Sequence, residues 1–220
     1  MRLVLVRHGV TEWNAAGRLQ GQLDVPLSPA GLRQAAAIAL SIPRHAVGAA
    51  AVYSSDLSRA AHTAEAVAGA LGVRVYLDCR WREIHGGELQ GLDRDEIFSR
   101  YPGYSAQFRA DPYATHCPGD GGESYGDVEA RVVAACLELA ERHAGGCTVV
   151  VSHGGALRRL AGALLELPRG RRSGLQLDNA SISVLELSGD GNRLLLWNDC
   201  CHLGGSGHAT AAGGDVLEVQ

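Results

Sequence analysis

Short runs of apolar and β-branched residues alternate with helical stretches along most of the chain, and this alternation constrains the fold more than any average does. The runs are Leu3–Val6, Ala49–Tyr53, Val73–Leu77 and Thr148–Val151. Such runs, bounded by turn residues, are strand signals. Ser28-Pro29 pairs an N-capping side chain with a proline suited to the first helical position, and so opens a helix over Ala30–Leu40. Ser55 or Asp56 is expected to cap Leu57–Leu71, which Gly72 stops. Ser124 caps the longest helix, which runs to His143 and ends at Gly145-Gly146, and a further helix over Ala156–Leu167 stops at Pro168. Strands alternating with helices of this length predict βαβ units. The expected fold is therefore a three-layer α/β/α arrangement, with a mostly parallel central sheet and helices on both faces. Ser181–Leu187 and Leu194–Trp197 follow one another with no helix between them, so that edge of the sheet is expected to be antiparallel.

A chain of 220 residues suits one domain, expected over residues 1–203. The stretch Ile84–Glu123 is rich in Gly, Pro and Tyr, with one short helical pattern at Asp93–Tyr101. It is too short to bury a core of its own, so it reads as an excursion over the sheet and the active site. The Gly/Ala-rich tail, 204–220, would stay unordered by itself. A second copy of the chain, in a homodimer, is the surface expected to hold it. No apolar run approaches the ~20 residues a membrane span needs, and a strand pattern begins almost at Met1, where a leader peptide would lie. These features predict a cytoplasmic protein with no membrane partner.

The chain has no lysine: all 20 of its Lys+Arg cations are arginine. Schiff-base chemistry, pyridoxal phosphate attachment and a Walker-type phosphate loop are thereby excluded, since each needs a lysine. Arginine keeps its proton in a protein, so these cations serve as binders and charge stabilisers. A net charge of −4 speaks against a nucleic-acid surface, so any bound anion must be held by a local cluster. The six cysteines (79, 117, 136, 147, 200 and 201) form no CxxC pair and read as reduced thiols, some packed as small hydrophobes. Nine histidines occur without HExxH or finger spacing, so no metal is expected.

Three strand ends share one construction. Leu3–Val6 ends in Arg7-His8-Gly9, Thr148–Val151 in Ser152-His153-Gly154-Gly155, and Ala49–Tyr53 in Ser54-Ser55 with Arg59 in the helix that follows. Open α/β sheets bind ligands at the carboxyl ends of parallel strands. If these strands are neighbours, two histidines and two arginines meet beside the free N–H groups of helix starts, which makes an anion site. Gly9 and Gly154 would let backbone approach the ligand closely. Phosphate monoester hydrolysis needs up to ~10²¹-fold acceleration, about 28 kcal/mol, of which one acid or base supplies only ~10²–10⁴. The remainder must come from positioning and from neutralising the phosphoryl oxygens, a task suited to bidentate arginines. An imidazole held neutral by nearby arginines is a competent nucleophile, and a leaving alkoxide then needs a proton. Glu83, in Trp81-Arg82-Glu83, is the candidate donor.

Leu5-Val6-Arg7-His8-Gly9 followed by Thr11-Glu12-Trp13-Asn14 resembles the signature of the histidine phosphatase superfamily, which includes the cofactor-dependent phosphoglycerate mutases. The likeness continues in the family's order through Gly17–Gly21, Leu27–Gly31, Ser54–Ala60, Arg82–His85, Gly121–Ser124 and Val151–Gly155. The resemblance implies that His8 is a nucleophile forming a phosphohistidine, and that Arg7, Arg59 and His153 hold the phosphoryl oxygens. It implies that Glu83 protonates the leaving oxygen and then deprotonates water, while Asn14, Gln20 and Gly21 line the site. It implies neither a metal nor another cofactor. Ser54, Ser55 and Ser124 are expected to act first as caps. His45, His62, His116, His143 and His208 read as ordinary histidines, and Trp13 and Trp197 as core residues.

Mutases of this family carry a longer insertion after the acid-bearing segment and a lysine for the substrate carboxylate. This chain has only the Ile84–Glu123 excursion and no lysine, so hydrolysis is the expected outcome. The segment Glu83–Gly91 is similar to the small bacterial phosphatases of the family, although Leu89–Leu92 also resembles the mutases. Asp178–Ser181, Trp197-Asn198 and Cys201–Gly204 resemble metal-independent phosphoserine phosphatases, and less closely glucosyl-3-phosphoglycerate and α-ribazole phosphatases. The expected partner is thus a small phosphorylated metabolite, with phosphoserine first. His85 and His202 are the candidates to meet its carboxylate.

Overall fold

Strand β1 (Arg2–Arg7) is buried from Leu3 onward and β4 (Cys147–Ser152) is buried throughout, so both read as continuous apolar runs instead of alternating ones. Burial of this kind marks a parallel sheet covered on both faces. The computed structural model of the protein describes residues 1–204 and Leu217. Its six-stranded sheet adds β2 (Ala49–Ser54), β3 (Val75–Leu77), β5 (Ile182–Glu186) and β6 (Arg193–Asp199), in the order β3-β2-β4-β1-β5-β6. Strands β1 to β4 run parallel, whereas β5 is antiparallel to both β1 and β6, as expected where no helix intervenes.

Each face of the sheet carries its own apolar layer. Helices α2 (Pro29–Ser41) and α3 (Ser58–Leu71) bury Ile38, Ala60, Ala64 and Val67 against Val4, Val6, Val149 and Val151. Helices α6 (Tyr125–Arg142) and α7 (Gly154–Leu164) bury Val128, Val132, Leu157 and Leu160 on the opposite face, with Leu3, Leu5 and Val150. Leu217 belongs to this second layer. Cys117, Cys136 and Cys147 pack as buried thiols, and among the described residues no cysteine forms a disulfide.

The caps explain most of the boundaries. Ser28 accepts from Gly31 N at 3.1 Å with Pro29 at the first helical position, and Ser124 forms a capping box with Asp127. Gly72 ends α3 in the left-handed conformation, φ 67°. At the other end of α3 the expectation fails: Leu57 is its N-cap, without a side-chain bond. Ser55 Oγ accepts from Leu57 N at 3.3 Å in a local turn, and Asp56 is drawn away by Arg82. Helix α7 starts at Gly154, two residues earlier than expected, and ends at Leu164. A one-turn helix α1 (Glu12–Ala15) was not anticipated. Between β3 and α6 the chain forms α4 (Arg94–Arg100) and, after Pro102, a second helix α5 (Pro102–Ala110) where one short helix was expected. Proline cannot continue α4 but is favoured at the start of α5.

Among the described residues no helix is long and apolar enough to cross a membrane. Most of the tail, including His208, lies outside the described residues.

Candidate active site

Strand register brings the two histidines together. Arg7 is paired with Ser152 across β1 and β4, so the next residues, His8 and His153, leave neighbouring strands side by side. Their ring centroids are 5.0 Å apart at 61°. The helices that follow these strands go to opposite faces, α2 to one and α7 to the other. The crevice between β1 and β4 is therefore a topological switch point, where doubly wound sheets place ligands.

Both rings are held neutral. Burial pushes the His8 pKa well below its usual value, helped by the charges of Arg59 and Arg7 and opposed by a hydrogen bond to the Gly9 carbonyl. That bond, at 2.7 Å from Nδ1, sets the tautomer. A carbonyl can only accept, so Nδ1 carries the proton and Nε2 keeps its lone pair. Burial likewise depresses His153, followed by the charges of Arg59, His8, Arg131 and Arg7. Both ring nitrogens of His153 are buried with no hydrogen-bond partner among the described residues.

Two guanidinium groups border the rings. Arg7 donates from Nη1 to Leu177 O at 2.5 Å, and its Cζ would lie 3.2 Å from a Cβ placed at Gly154. Arg59, 1% exposed, donates from Nη1 to Leu23 O at 2.9 Å and from Nη2 to Gly21 O at 2.8 Å. Burial pulls its pKa down to about 10, which still leaves it charged at neutral pH. Glu83 sits at the start of α7. Its Oε2 accepts from Gly155 N at 2.9 Å, and its Oε1 from Ala156 N at 3.2 Å and Ile84 N at 3.0 Å. The early start of α7 thus supplies the N–H donors that hold this carboxyl group in place.

Arg7, His8, Arg59, Glu83 and His153 therefore share one neighbourhood: a lone pair, two fixed cations, a second imidazole and a carboxyl group, all of them buried. Such a set can bind a phosphoryl group and exchange it. A model of the histidine phosphatase superfamily (branch 1) matches residues 3–200. The chain belongs to that superfamily. It is 37% identical over 206 residues to the metal-independent phosphoserine phosphatase of Arabidopsis thaliana, covering 93% of this chain and 84% of the relative. It is 36% identical over 219 residues to phosphoglycerate mutase-like protein 4 of the same plant, covering 97% and 92%. A solved mycobacterial glucosyl-3-phosphoglycerate phosphatase, in complex with VO3, superposes with a TM-score of 0.80 at 37% identity, covering 90% of this chain and 98% of that one.

Within this histidine phosphatase the remaining candidates fall into two groups. Gln20 is buried with its Oε1 unpartnered, Gly21 takes φ +55° to offer its carbonyl to Arg59, and Gly154 abuts Arg7. Asn14 has its Oδ1 engaged by Thr11 N at 3.1 Å and by Asn179 Nδ2 at 3.3 Å, the latter also reaching His8 O at 3.1 Å. His85 and His202 are tied elsewhere. The His85 Nδ1 accepts from Gly87 N at 3.3 Å and the ring lies near Gly121, on the excursion. His202 donates from Nε2 to Ala180 O at 3.0 Å, and Ala180 N in turn binds the carbonyls of Arg7 and His8. It thus touches the backbone behind the site. Among the described residues no group of three or more His, Cys, Asp or Glu side chains is arranged to hold a metal ion.

Sequence reading missed the polar layer beneath Glu83. Arg82 holds Asp56 through Nε at 2.7 Å and Nη2 at 2.5 Å, and reaches Gln22 Oε1 at 3.2 Å. Gln22 Nε2 donates to Glu83 O at 3.1 Å, and Arg131 on α6 binds the same carbonyl at 2.9 Å. Glu123 lies within a motif noted above, but Arg131 stands in a helix of mixed polarity with no local pattern to single it out.

Proposed function

We propose that the protein is a phosphomonoesterase that hydrolyses a small phosphorylated metabolite without a metal ion, through a phosphohistidine on His8, with phosphoserine as the lead substrate. In the first step His8 Nε2 attacks phosphorus and the P–O ester bond breaks. Glu83 gives its proton to the leaving oxygen. In the second, a water oxygen attacks phosphorus, the P–Nε2 bond breaks, and Glu83 takes the water's proton as inorganic phosphate forms. Arg7 and Arg59 neutralise the phosphoryl oxygens in both steps, with His153 beside them. The observation that carries this reading is the His8 tautomer, with Nδ1 bound to Gly9 O and Nε2 left as the nucleophilic lone pair. Names of two relatives support the substrate class, phosphoserine and glucosyl-3-phosphoglycerate both being small polar phosphomonoesters. Six cysteines held as thiols suit a cytoplasmic setting.

Phosphate release from phosphoserine, the phosphoglycerates, glucosyl-3-phosphoglycerate and α-ribazole phosphate tests the proposal. Phosphoserine is expected to give the highest kcat/KM, and a His8→Ala variant none on any of them. The mutase-like relative favours a second reading, in which the phosphohistidine returns its group to a phosphoglycerate hydroxyl. Enolase-coupled conversion of 3-phosphoglycerate, exceeding phosphate release, would establish that alternative.

A further inference from the structure

We propose that Arg131 is the positioning residue for the leaving-group proton: it locks the main chain on either side of Glu83 so that the carboxyl group meets the scissile oxygen. The inference rests on Glu83 being the proton donor.

Arg131 projects from α6, and its side chain, 17% exposed, directs every guanidinium nitrogen either to this segment or to Glu123. Nη1 donates to Arg80 O at 2.9 Å and Arg82 O at 2.6 Å, and Nη2 to Glu83 O at 2.9 Å. Nε and Nη2 also hold the two oxygens of Glu123, at 2.8 and 3.0 Å. Glu123 Oε2 then accepts from His85 N at 2.8 Å. Glu83 therefore sits between a carbonyl clamp at 80–83 and an amide clamp at 85, both built from one Arg–carboxylate pair.

The segment has no regular structure to stiffen it. Only the end of a short 3₁₀ turn (Cys79–Trp81) falls within it, and it is not part of the sheet. The carboxyl group is hydrogen-bonded to the start of α7, while the main chain beside it is held by the Arg131 clamp together with Gln22 Nε2 on Glu83 O at 3.1 Å and Ser152 Oγ on Trp81 O at 2.6 Å. Arginine suits this task because its planar five-donor group reaches several carbonyls at once, whereas an ammonium group does not. A displacement near 1 Å costs on the order of 10²-fold in rate.

The test compares kcat/KM, which reports the first phosphoryl transfer, on phosphoserine and on p-nitrophenyl phosphate. A serine alkoxide needs a proton to leave, whereas p-nitrophenolate leaves without one. Arg131→Met is expected to lower kcat/KM for phosphoserine by about 10- to 100-fold and for p-nitrophenyl phosphate by less than about 3-fold. Arg131→Lys should fall between Arg131→Met and the parent. Glu123→Gln, which keeps the side-chain volume, should shift the same ratio in the same direction, and it serves if Arg131→Met does not fold. Equal losses on both substrates, or no loss, would make Arg131 structural only and overturn the proposal. Glu83→Gln separates the two levels: it must itself discriminate between the substrates. If it does not, Glu83 is not the donor and the proposal falls with that reading. If it does while the Arg131 and Glu123 variants do not, only the positioning role fails.

Discussion

The chemistry of His8 depends on one proton being in one place. The bond from Nδ1 to Gly9 O holds it there, and burial beside Arg59 and Arg7 keeps a second proton off Nε2. The charged groups nearby depend on equally local contacts, and Gly154 offers a separable test. It lies at the start of α7 with ordinary helical geometry, so alanine fits the backbone, but the new Cβ would stand 3.2 Å from Arg7 Cζ. Arg7 is held by Leu177 O at 2.5 Å and has little room to recoil. Gly154→Ala should lower the unfolding midpoint modestly, because Arg7 cannot yield freely, while kcat/KM falls about tenfold. Steady-state kinetics beside thermal unfolding measure both, and a loss of stability without loss of rate would refute this account. The catalytic candidates were legible because each lies within a short motif: Arg7, His8 and His153 at strand ends, Arg59 in the first turn of α3 and Glu83 just beyond a 3₁₀ turn. Arg131 was not: its role exists only once α6 is packed beside the 80–83 segment, a contact between residues some fifty positions apart.

At the scale of elements, the site loop after β1 is anchored to the first turn of α2. Ser28 Oγ accepts from Gly31 N at 3.1 Å and donates to Val10 O at 3.1 Å, while Val10 N donates to Gln34 Oε1 at 2.7 Å. A Cβ on Gly31 would run into the Val10 carbonyl, so the helix can approach this closely only with glycine there. Ser28→Ala should cost about 1–2 kcal/mol, seen as a lower urea midpoint with an unchanged m-value. Ser28→Thr should recover most of that loss, and an alanine variant as stable as the parent would show that the cap is immaterial. This cap and that of Ser124 were readable because each contact spans only three residues. The cap of α3 was not, since Asp56 is claimed by Arg82, a partner distant in sequence. The helix after Pro102 was missed for the opposite reason. Proline reads as a stop unless the geometry of the preceding turn is known.

At the scale of the whole molecule, the sheet buries two imidazoles at its switch point, and this links folding to pH. Native His8 and His153 have pKa values well below 6.5, which an unfolded chain would restore. Above pH 6.5 both states are neutral at these positions and the linkage is silent. Below it the unfolded chain binds protons that the native state refuses, so stability falls with decreasing pH until the native pKa values are reached. Each ring contributes up to about 1.4 kcal/mol per pH unit across that window. The unfolding midpoint should therefore drop between pH 7 and pH 5, before the depressed carboxyl groups such as Asp56 begin to titrate. His8→Asn should flatten the slope, and a midpoint independent of pH over this range would contradict the burial of neutral histidines. The parallel sheet itself was legible from alternation alone, but its strand order was not. The insertion of β4 between β2 and β1, which pairs His8 with His153, is settled by long-range packing that no local pattern encodes.

Capture of the phosphorylated enzyme is the most direct test of phosphoryl transfer to His8. Rapid quenching of the protein with phosphorus-labelled substrate, under alkaline conditions that preserve phosphohistidine, should leave one acid-labile phosphoryl group per chain, located on His8 and absent from His8→Ala. Turnover in the parent protein with no such adduct on His8, or an adduct undiminished in His8→Ala, would contradict it.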